Sequence, residues 1–124
     1  MPRDGSQSHI DAAAKVRLAP LAWHCAACGH RITRQDWAIR INGDHQHVVF
    51  NPAGIIFRVV CFAQAPGALA GGPTSEEFTW FRGYRWQLAG CGGCRTHLGW
   101  HYRGEGPPAS FFGLIRPKLV ERPE

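Results

Sequence analysis

Apolar and polar residues alternate with a period of two over several short stretches of the chain. Trp37, Ile39 and Ile41 alternate with Ala38 and Arg40, which predicts a half-buried strand. Ile32-Thr33 predicts a shorter one, and Asn42-Gly43-Asp44 is a turn signal. His47-Val48-Val49-Phe50 is short and β-branched, and Ile55 to Phe62 is the most apolar run, the composition of a central strand. Asn51-Pro52-Ala53-Gly54 lies between them and must turn, so the 48–50 and 55–62 runs predict a hairpin. Phe78-Thr79-Trp80-Phe81 predicts a short strand that Gly83 breaks and Tyr84 to Leu88 resumes. Leu98 to Tyr102 alternates again, and Phe111 to Ile115 predicts a last strand before a charged tail. Ala63 to Pro73, small and Gly-rich, reads as loop, as does Gly104 to Pro108. The N-terminal residues, to about Ala19, are polar and small. They predict a loose leader, with a short helix over Asp11–Leu18 that Pro20 stops. The sum is a mostly β chain with no internal repeat beyond two cysteine pairs.

The length of 124 residues matches one domain of about 100–150 residues. The expected division is a flexible leader over 1–18 and a single folded domain over 19–124. A formal charge of +5 permits anions, but the basic residues are scattered, which argues against a nucleic-acid duplex as partner. No segment approaches the roughly 18 apolar residues that span a bilayer, and the N-terminus has no apolar signal-peptide run. A membrane is therefore not expected as a partner. Five cysteines, an odd count, fit a fully disulfide-bonded secreted domain poorly, so the expected location is the reducing cytoplasm.

Cys25, Cys28, Cys91 and Cys94 form two C-x-x-C pairs. Four thiolates match tetrahedral zinc, and a four-sulfur shell leaves no open position, so the expected cofactor is a structural Zn²⁺. Compact zinc ribbons place their pairs about 15–20 residues apart. Here most of the β-structure lies between the pairs, so the metal would staple remote parts of one domain. A redox C-x-x-C or a pair of disulfides are the competing readings. His24, His30 and His97 neighbour the pairs, but with four cysteines present they read as supporting or surface residues. Cys61, inside an apolar run, reads as a buried small hydrophobe.

Five tryptophans remain to be explained. Trp23 and Trp37 fit core packing. Trp80, Trp86 and Trp100 each sit in a strand-like segment near Gly or a polar residue, where a ligand or another backbone can come close. By period two, Trp100 and Tyr102 share a face, while Trp80 and Phe81 point oppositely. Spacing alone leaves a cage and ordinary core packing both open. A cage holds a methylated ammonium by cation–π attraction, or clamps a neutral ring by dispersion. A neutral imide presents C=O and N–H in a row, which the backbone of an exposed Phe78-Thr79-Trp80 segment complements. Glu76 and Glu77 are close in sequence, but no acid lies between Trp80 and Trp100, which favours the neutral ligand.

These residues resemble the CULT domain, the thalidomide-binding domain family of cereblon, in its small stand-alone bacterial form. The resemblance runs from about Leu18 to Leu119. It is carried by Cys25-Ala-Ala-Cys28, His47-Val-Val-Phe-Asn-Pro-Ala-Gly54 and Phe78-Thr-Trp-Phe-Arg-Gly-Tyr-Arg-Trp86. Cys91-Gly-Gly-Cys94 with His97-Leu-Gly-Trp100, and Phe111-Phe-Gly-Leu114, complete it. It implies a β-tent fold, two antiparallel sheets at roughly right angles pinned by the zinc. It implies that Trp80, Trp86 and Trp100 form three walls of a cage, that the backbone at Phe78 and Trp80 hydrogen-bonds a cyclic imide, and that Asn51 and Tyr102 line the site. The implied ligands are glutarimides such as thalidomide and its analogues, uracil and uridine, and protein C-terminal cyclic imides. One departure is Phe78, where vertebrate members have His, so a side-chain hydrogen bond is lost. The implied function is a non-catalytic binding module. Two other classes compete with it. One is a zinc-pinned oxidoreductase of the methionine-R-sulfoxide reductase type, which needs a reactive cysteine that only Cys61 could supply. The other is a methyl-ammonium reader.

Overall fold

The computed structural model describes residues 20–124. The leader over 1–18, and the helix expected within it, lie outside the described residues. Among the described residues nine strands form two antiparallel sheets. The small sheet has the order β2-β1-β9, built from β1 (Leu21–Cys25), β2 (Arg31–Arg34) and β9 (Leu119–Pro123). The large sheet has the order β3-β4-β8-β7-β6-β5. Its strands are β3 (Gln46–Phe50), β4 (Ile56–Phe62), β5 (Ala68–Ser75), β6 (Tyr84–Cys91), β7 (His97–Gly104) and β8 (Ser110–Ile115).

The expected hairpin is present, with Phe50 opposite Ile56 and His47 opposite Val59. Ile41 bridges Asp44 across Asn42 and Gly43, both at positive φ, the turn that Asn-Gly favours. Four stretches differ from the sequence reading. Ala68–Ser75 is an edge strand, not loop: β6 supplies its partners, and the edge tolerates Pro73 at a bulge opposite Gln87. The charged tail forms β9, because Val120 to Pro123 can pair with β1 while facing solvent. Gln35–Trp37 is a 3-10 turn, and the expected strand over 37–41 shrinks to an isolated bridge from Ala38 to Phe62. Trp37 is half-buried beneath the Arg34 guanidinium, 5.5 Å from its ring centre, and is not a core residue. The fourth difference, at Phe78–Phe81, belongs to the site below.

The central strands of the large sheet contribute to a core on each face, and period two assigns the residues. From β4, Val60 and Phe62 enter one core with Trp23, Cys25, Ile32 and Leu119 of the small sheet. The alternate residues Val59 and Cys61 enter a second core with Trp100, Tyr102, Phe111 and Ile115. β7 serves both cores by means of a bulge. Gly90 pairs with His97 and Ala89 with Gly99, which leaves Leu98 as the extra residue. Leu98 therefore faces the first core while Trp100 and Tyr102 face the second. Among the described residues no third sheet covers the second core. Ile39 and Ile41 from one non-strand segment, and Trp80 and Phe81 from another, pack against it.

Candidate functional site

Two constellations stand apart in chemistry, a sulfur cluster between the sheets and an aromatic cavity at the open side of the second core.

Cys25 ends β1 of the small sheet and Cys91 ends β6 of the large one, while Cys28 and Cys94 lie in the turns that follow. The two turns are built alike. Cys25 N–H donates to His30 O, and Cys91 N–H to Thr96 O, both at 2.8 Å. Gly29 N–H donates to Cys25 O, and Arg95 N–H to Cys91 O, again both at 2.8 Å. The left-handed position is Gly29 in the first turn (φ 81°) and Arg95 in the second (φ 68°). All four Sγ atoms lie within 4.8 Å of one another, with Cys25–Cys94 at 3.8 Å and Cys28–Cys91 at 3.6 Å. A Zn–S bond of about 2.3 Å in a tetrahedron puts sulfurs about 3.8 Å apart, so the four cysteines are positioned to bind a metal ion. They are free thiols, not disulfides. Without a metal the four cannot ionise alike. The Thr96 hydroxyl, helped by its backbone N–H, brings Cys94 down to about 6. At Cys28 the His30 N–H lowers the thiol, but desolvation and the three neighbouring sulfurs outweigh it and push the value up to about 12. A divalent ion removes this competition by taking all four as thiolates.

The cavity has a volume of about 370 Å³. Its floor is the large sheet. Trp86 and Leu88 of β6 sit opposite Tyr102 and Trp100 of β7, all four lining it. Phe57 of β4 and Trp80 complete a ring cluster around Trp100. Trp80 meets Trp100 edge-on at 4.8 Å, and Phe57 meets it at 5.3 Å. His97 meets the same ring at 5.1 Å. Two wall tryptophans have their polar ends tied to backbone: Trp80 Nε1–H donates to Phe50 O at 3.0 Å, and Trp86 Nε1–H to Glu77 O at 2.8 Å. The rings are thereby held with little rotamer freedom.

The segment that carries Trp80 is not the strand the alternation predicts. Residues 76–83 form successive turns in which Phe78 adopts φ 54°, a left-handed conformation that a bulky residue adopts rarely. Phe81 still goes to the core and Trp80 to the cavity, but through a turn closed by Tyr84 N–H to Phe81 O at 3.0 Å. Phe81 anchors the segment, packing edge-on against Tyr102 at 4.8 Å and Phe111 at 5.1 Å. Among the described residues, the backbone N–H and C=O groups of Phe78 and Trp80 meet no hydrogen-bond partner. The Phe78 ring lines the cavity but is 70% exposed.

The structure thus brings the six expected residues Trp80, Trp86, Trp100, Phe78, Tyr102 and Asn51 around one cavity. Asn51 serves its own turn as well, its Oδ1 accepting Ile55 N–H at 2.9 Å. Burial holds the Tyr102 phenol well above the ordinary tyrosine range, so it stays a neutral group. The sequence reading missed Phe57, Leu88, His97, Pro52 and Glu77 as lining residues. Leu88 was findable, since it lies two residues from Trp86 and shares its face. Phe57 was findable once the hairpin register was fixed. His97 and Glu77 had no signal beyond their neighbours. Burial lowers the His97 imidazole and Lys118 adds to this, although the Gly99 carbonyl, 2.9 Å from Nε2, opposes it. Cys61 is fully buried, and burial pushes its thiol up to about 12. No helix among the described residues is long and apolar enough to cross a membrane.

No protein-family model matches the chain. Its homologues are named cereblon. It is 35% identical over 75 residues to Protein cereblon of Gallus gallus, which covers 58% of this chain and 17% of the relative. Protein cereblon of Xenopus tropicalis is 33% identical over 75 residues, with the same shares of each chain. Protein cereblon of Drosophila melanogaster is 41% identical over 46 residues, 35% of this chain and 8% of the relative. The chain therefore spans less than a fifth of the length of these relatives. The crystal structure of the Mis18 "Yippee-like" domain superposes with a TM-score of 0.58 at 9% identity, covering 85% of this chain and 97% of that one. That likeness shows the fold.

Proposed function

We propose that this homologue of cereblon is a non-catalytic binding module whose aromatic cavity takes a cyclic imide or a uracil-like ring. The observation that carries the reading is the pairing of three tryptophan walls with an unsatisfied backbone edge at Phe78 and Trp80. Stacking rings supply affinity without direction, whereas a free N–H beside a free C=O selects a ring that offers the reciprocal pair. An imide does so in thalidomide analogues, in uracil and in a cyclised protein C-terminus, and these are the proposed partners. Because the edge is backbone, Phe78 in place of a histidine need not abolish it. The metal is proposed to be zinc, held by Cys25, Cys28, Cys91 and Cys94 in a structural role that no substrate reaches. A reducing, cytoplasmic setting would keep those thiols available.

A reductase reading fares poorly on geometry. The one cysteine outside the cluster is buried, and its thiol is held protonated. Titration of the metal-loaded protein with thalidomide and with uracil, followed by tryptophan fluorescence, tests the proposal. Saturable quenching that Trp86→Ala removes is expected. Unchanged fluorescence at millimolar ligand in the folded protein would overturn it.

A further inference from the structure

The chain carries a formal charge of +5, yet among the described residues no lysine or arginine lines its cavity. Among the described residues the one acidic residue in the lining is Glu77, which is exposed and therefore at the rim. Its neighbour Glu76 pairs with Arg85 at 3.6 Å. Among the described residues Glu77 has no ion-pair partner. Its backbone is fixed in place, because its carbonyl accepts the Trp86 indole N–H at 2.8 Å. Trp80, Trp86 and Trp100 line the same space, and the face of an aromatic ring carries negative quadrupole. Two other titratable side chains in the lining, His97 and Tyr102, are held towards their neutral forms by burial. Among the described residues, the charged group in the cavity lining of this basic protein is therefore an anion.

We infer that Glu77 is a specificity-determining residue that selects, among ligands sharing the same ring, those whose substituent outside the cage is cationic, and disfavours anionic ones. The inference rests on the cage reading above and adds the substituent's charge to it. The ring satisfies the backbone edge, and the substituent extends past the rim where Glu77 stands. A carboxylate and a substituent charge separated by a few ångströms at a solvated rim interact modestly and are screened by salt. For a peptide bearing a C-terminal imide, the preference is for lysine or arginine before the ring. For nucleosides, it is for the neutral nucleoside over its phosphate ester.

Three glutarimides that differ only at C3 test this: acetamido (neutral), glycinamido (ammonium) and succinamido (carboxylate). Their dissociation constants are read by tryptophan fluorescence against the metal-loaded protein and Glu77→Gln. The wild-type protein is expected to bind the ammonium ligand tightest and the carboxylate weakest. Each step should be about threefold to fivefold, the scale of one exposed ion pair, and should shrink as salt is raised. Glu77→Gln is expected to bring the three affinities together. An order that persists in Glu77→Gln, or equal affinities in the wild type, overturns the role of Glu77 while the cage reading stands. Failure of all three ligands to bind a folded wild-type protein overturns the cage reading and this inference together.

Discussion

The indole N–H of Trp80 donates to the carbonyl of Phe50 at 3.0 Å, across thirty residues of sequence. Phe50 ends β3, the edge strand of the large sheet. Cys61 N–H bonds His45 O and Asn51 N–H bonds Ile55 O, so odd-numbered positions of β3 turn inward and the Phe50 carbonyl turns outward. Among the described residues no strand pairs with β3 on this side, so the edge carbonyl and the Trp80 indole N–H satisfy one another. Trp86 is likewise tethered to a backbone carbonyl, that of Glu77, which lies in a turn and not on a sheet edge.

Trp80→Phe keeps an aromatic face but removes the donor. It is expected to cost about 0.5–1.5 kcal/mol of stability, the net worth of one hydrogen bond, measured by urea denaturation. Ligand affinity should fall further than stability does, because the freed ring must be ordered again on binding. If Trp80→Phe binds as well as the wild type, the wall does not need this tether.

The hairpin, the two cysteine pairs and the Asn42-Gly43 turn were legible in the sequence because each is a local signal: β-branched runs, fixed ligand spacing, a residue pair suited to positive φ. The three tryptophans set among glycines left a cage and core packing both open; the resemblance named the six residues that line one cavity. What was not legible depends on remote partners. Ala68–Ser75 has glycine and proline at its centre and is a strand because β6 lies beside it. Val120 to Pro123 looks like a solvated tail until β1 is placed next to it. Phe78 to Phe81 alternates like a strand, yet it is a turn, since Phe81 in the core and the Trp80 tether to Phe50 fix both sides of a bend. The bulge that lets Leu98 and Trp100 face different cores depends on a register that only the assembled sheet defines.

Removal of the metal is expected to destabilise the domain severely. The cysteines join the end of β1 to the end of β6, and structural zinc contributes roughly 10–16 kcal/mol in small peptides, more than the typical net stability of about 5–15 kcal/mol. Differential scanning calorimetry with and without a strong chelator, and of Cys91→Ser, should show a large drop in melting temperature together with loss of one bound metal per chain. An unchanged melting temperature after verified metal loss would contradict a structural role.

Gly99 lies at φ 155°, and a Cβ there would stand 2.2 Å from the Gly113 carbonyl oxygen and 2.8 Å from Leu114 Cα. Neither backbone atom can move without disturbing the β7–β8 pairing that carries Trp100. Gly99→Ala is therefore expected to cost upwards of about 2 kcal/mol, on the scale of a mutation with a named steric cause, and to weaken ligand binding. Denaturant midpoints and a ligand titration on the same sample check both effects.

Arg95 occupies in the second cysteine turn the left-handed position that Gly29 occupies in the first. An L-residue pays about 1–2 kcal/mol for that conformation, and glycine returns part of this as unfolded-state entropy. Arg95→Gly is thus expected to raise stability by a few tenths to about 1 kcal/mol with metal stoichiometry unchanged. A destabilised variant would mean that the Arg95 side chain makes a compensating interaction.

His97 gives the fold and the cavity a shared dependence on pH. Burial lowers its imidazole below the ordinary 6.5, as burial and the nearby Arg103 do for His101. As pH falls, the unfolded chain therefore takes up these protons before the folded chain does. The stabilisation is complete above 6.5 and is lost as pH drops through the lower folded values. Acid also protonates the cysteine ligands, so the wild-type profile alone mixes two causes. His97→Gln, which keeps a hydrogen-bonding side chain near the Gly99 carbonyl, separates them. Between about pH 7.5 and about pH 5.5, a window spanning the usual histidine range, the variant should lose less stability than the wild type, with the remaining loss due to His101 and the metal site. Its ligand affinity should also fall less over the same range, because no charge develops 5.1 Å from the Trp100 ring. Parallel profiles for the two proteins would remove His97 from the pH response.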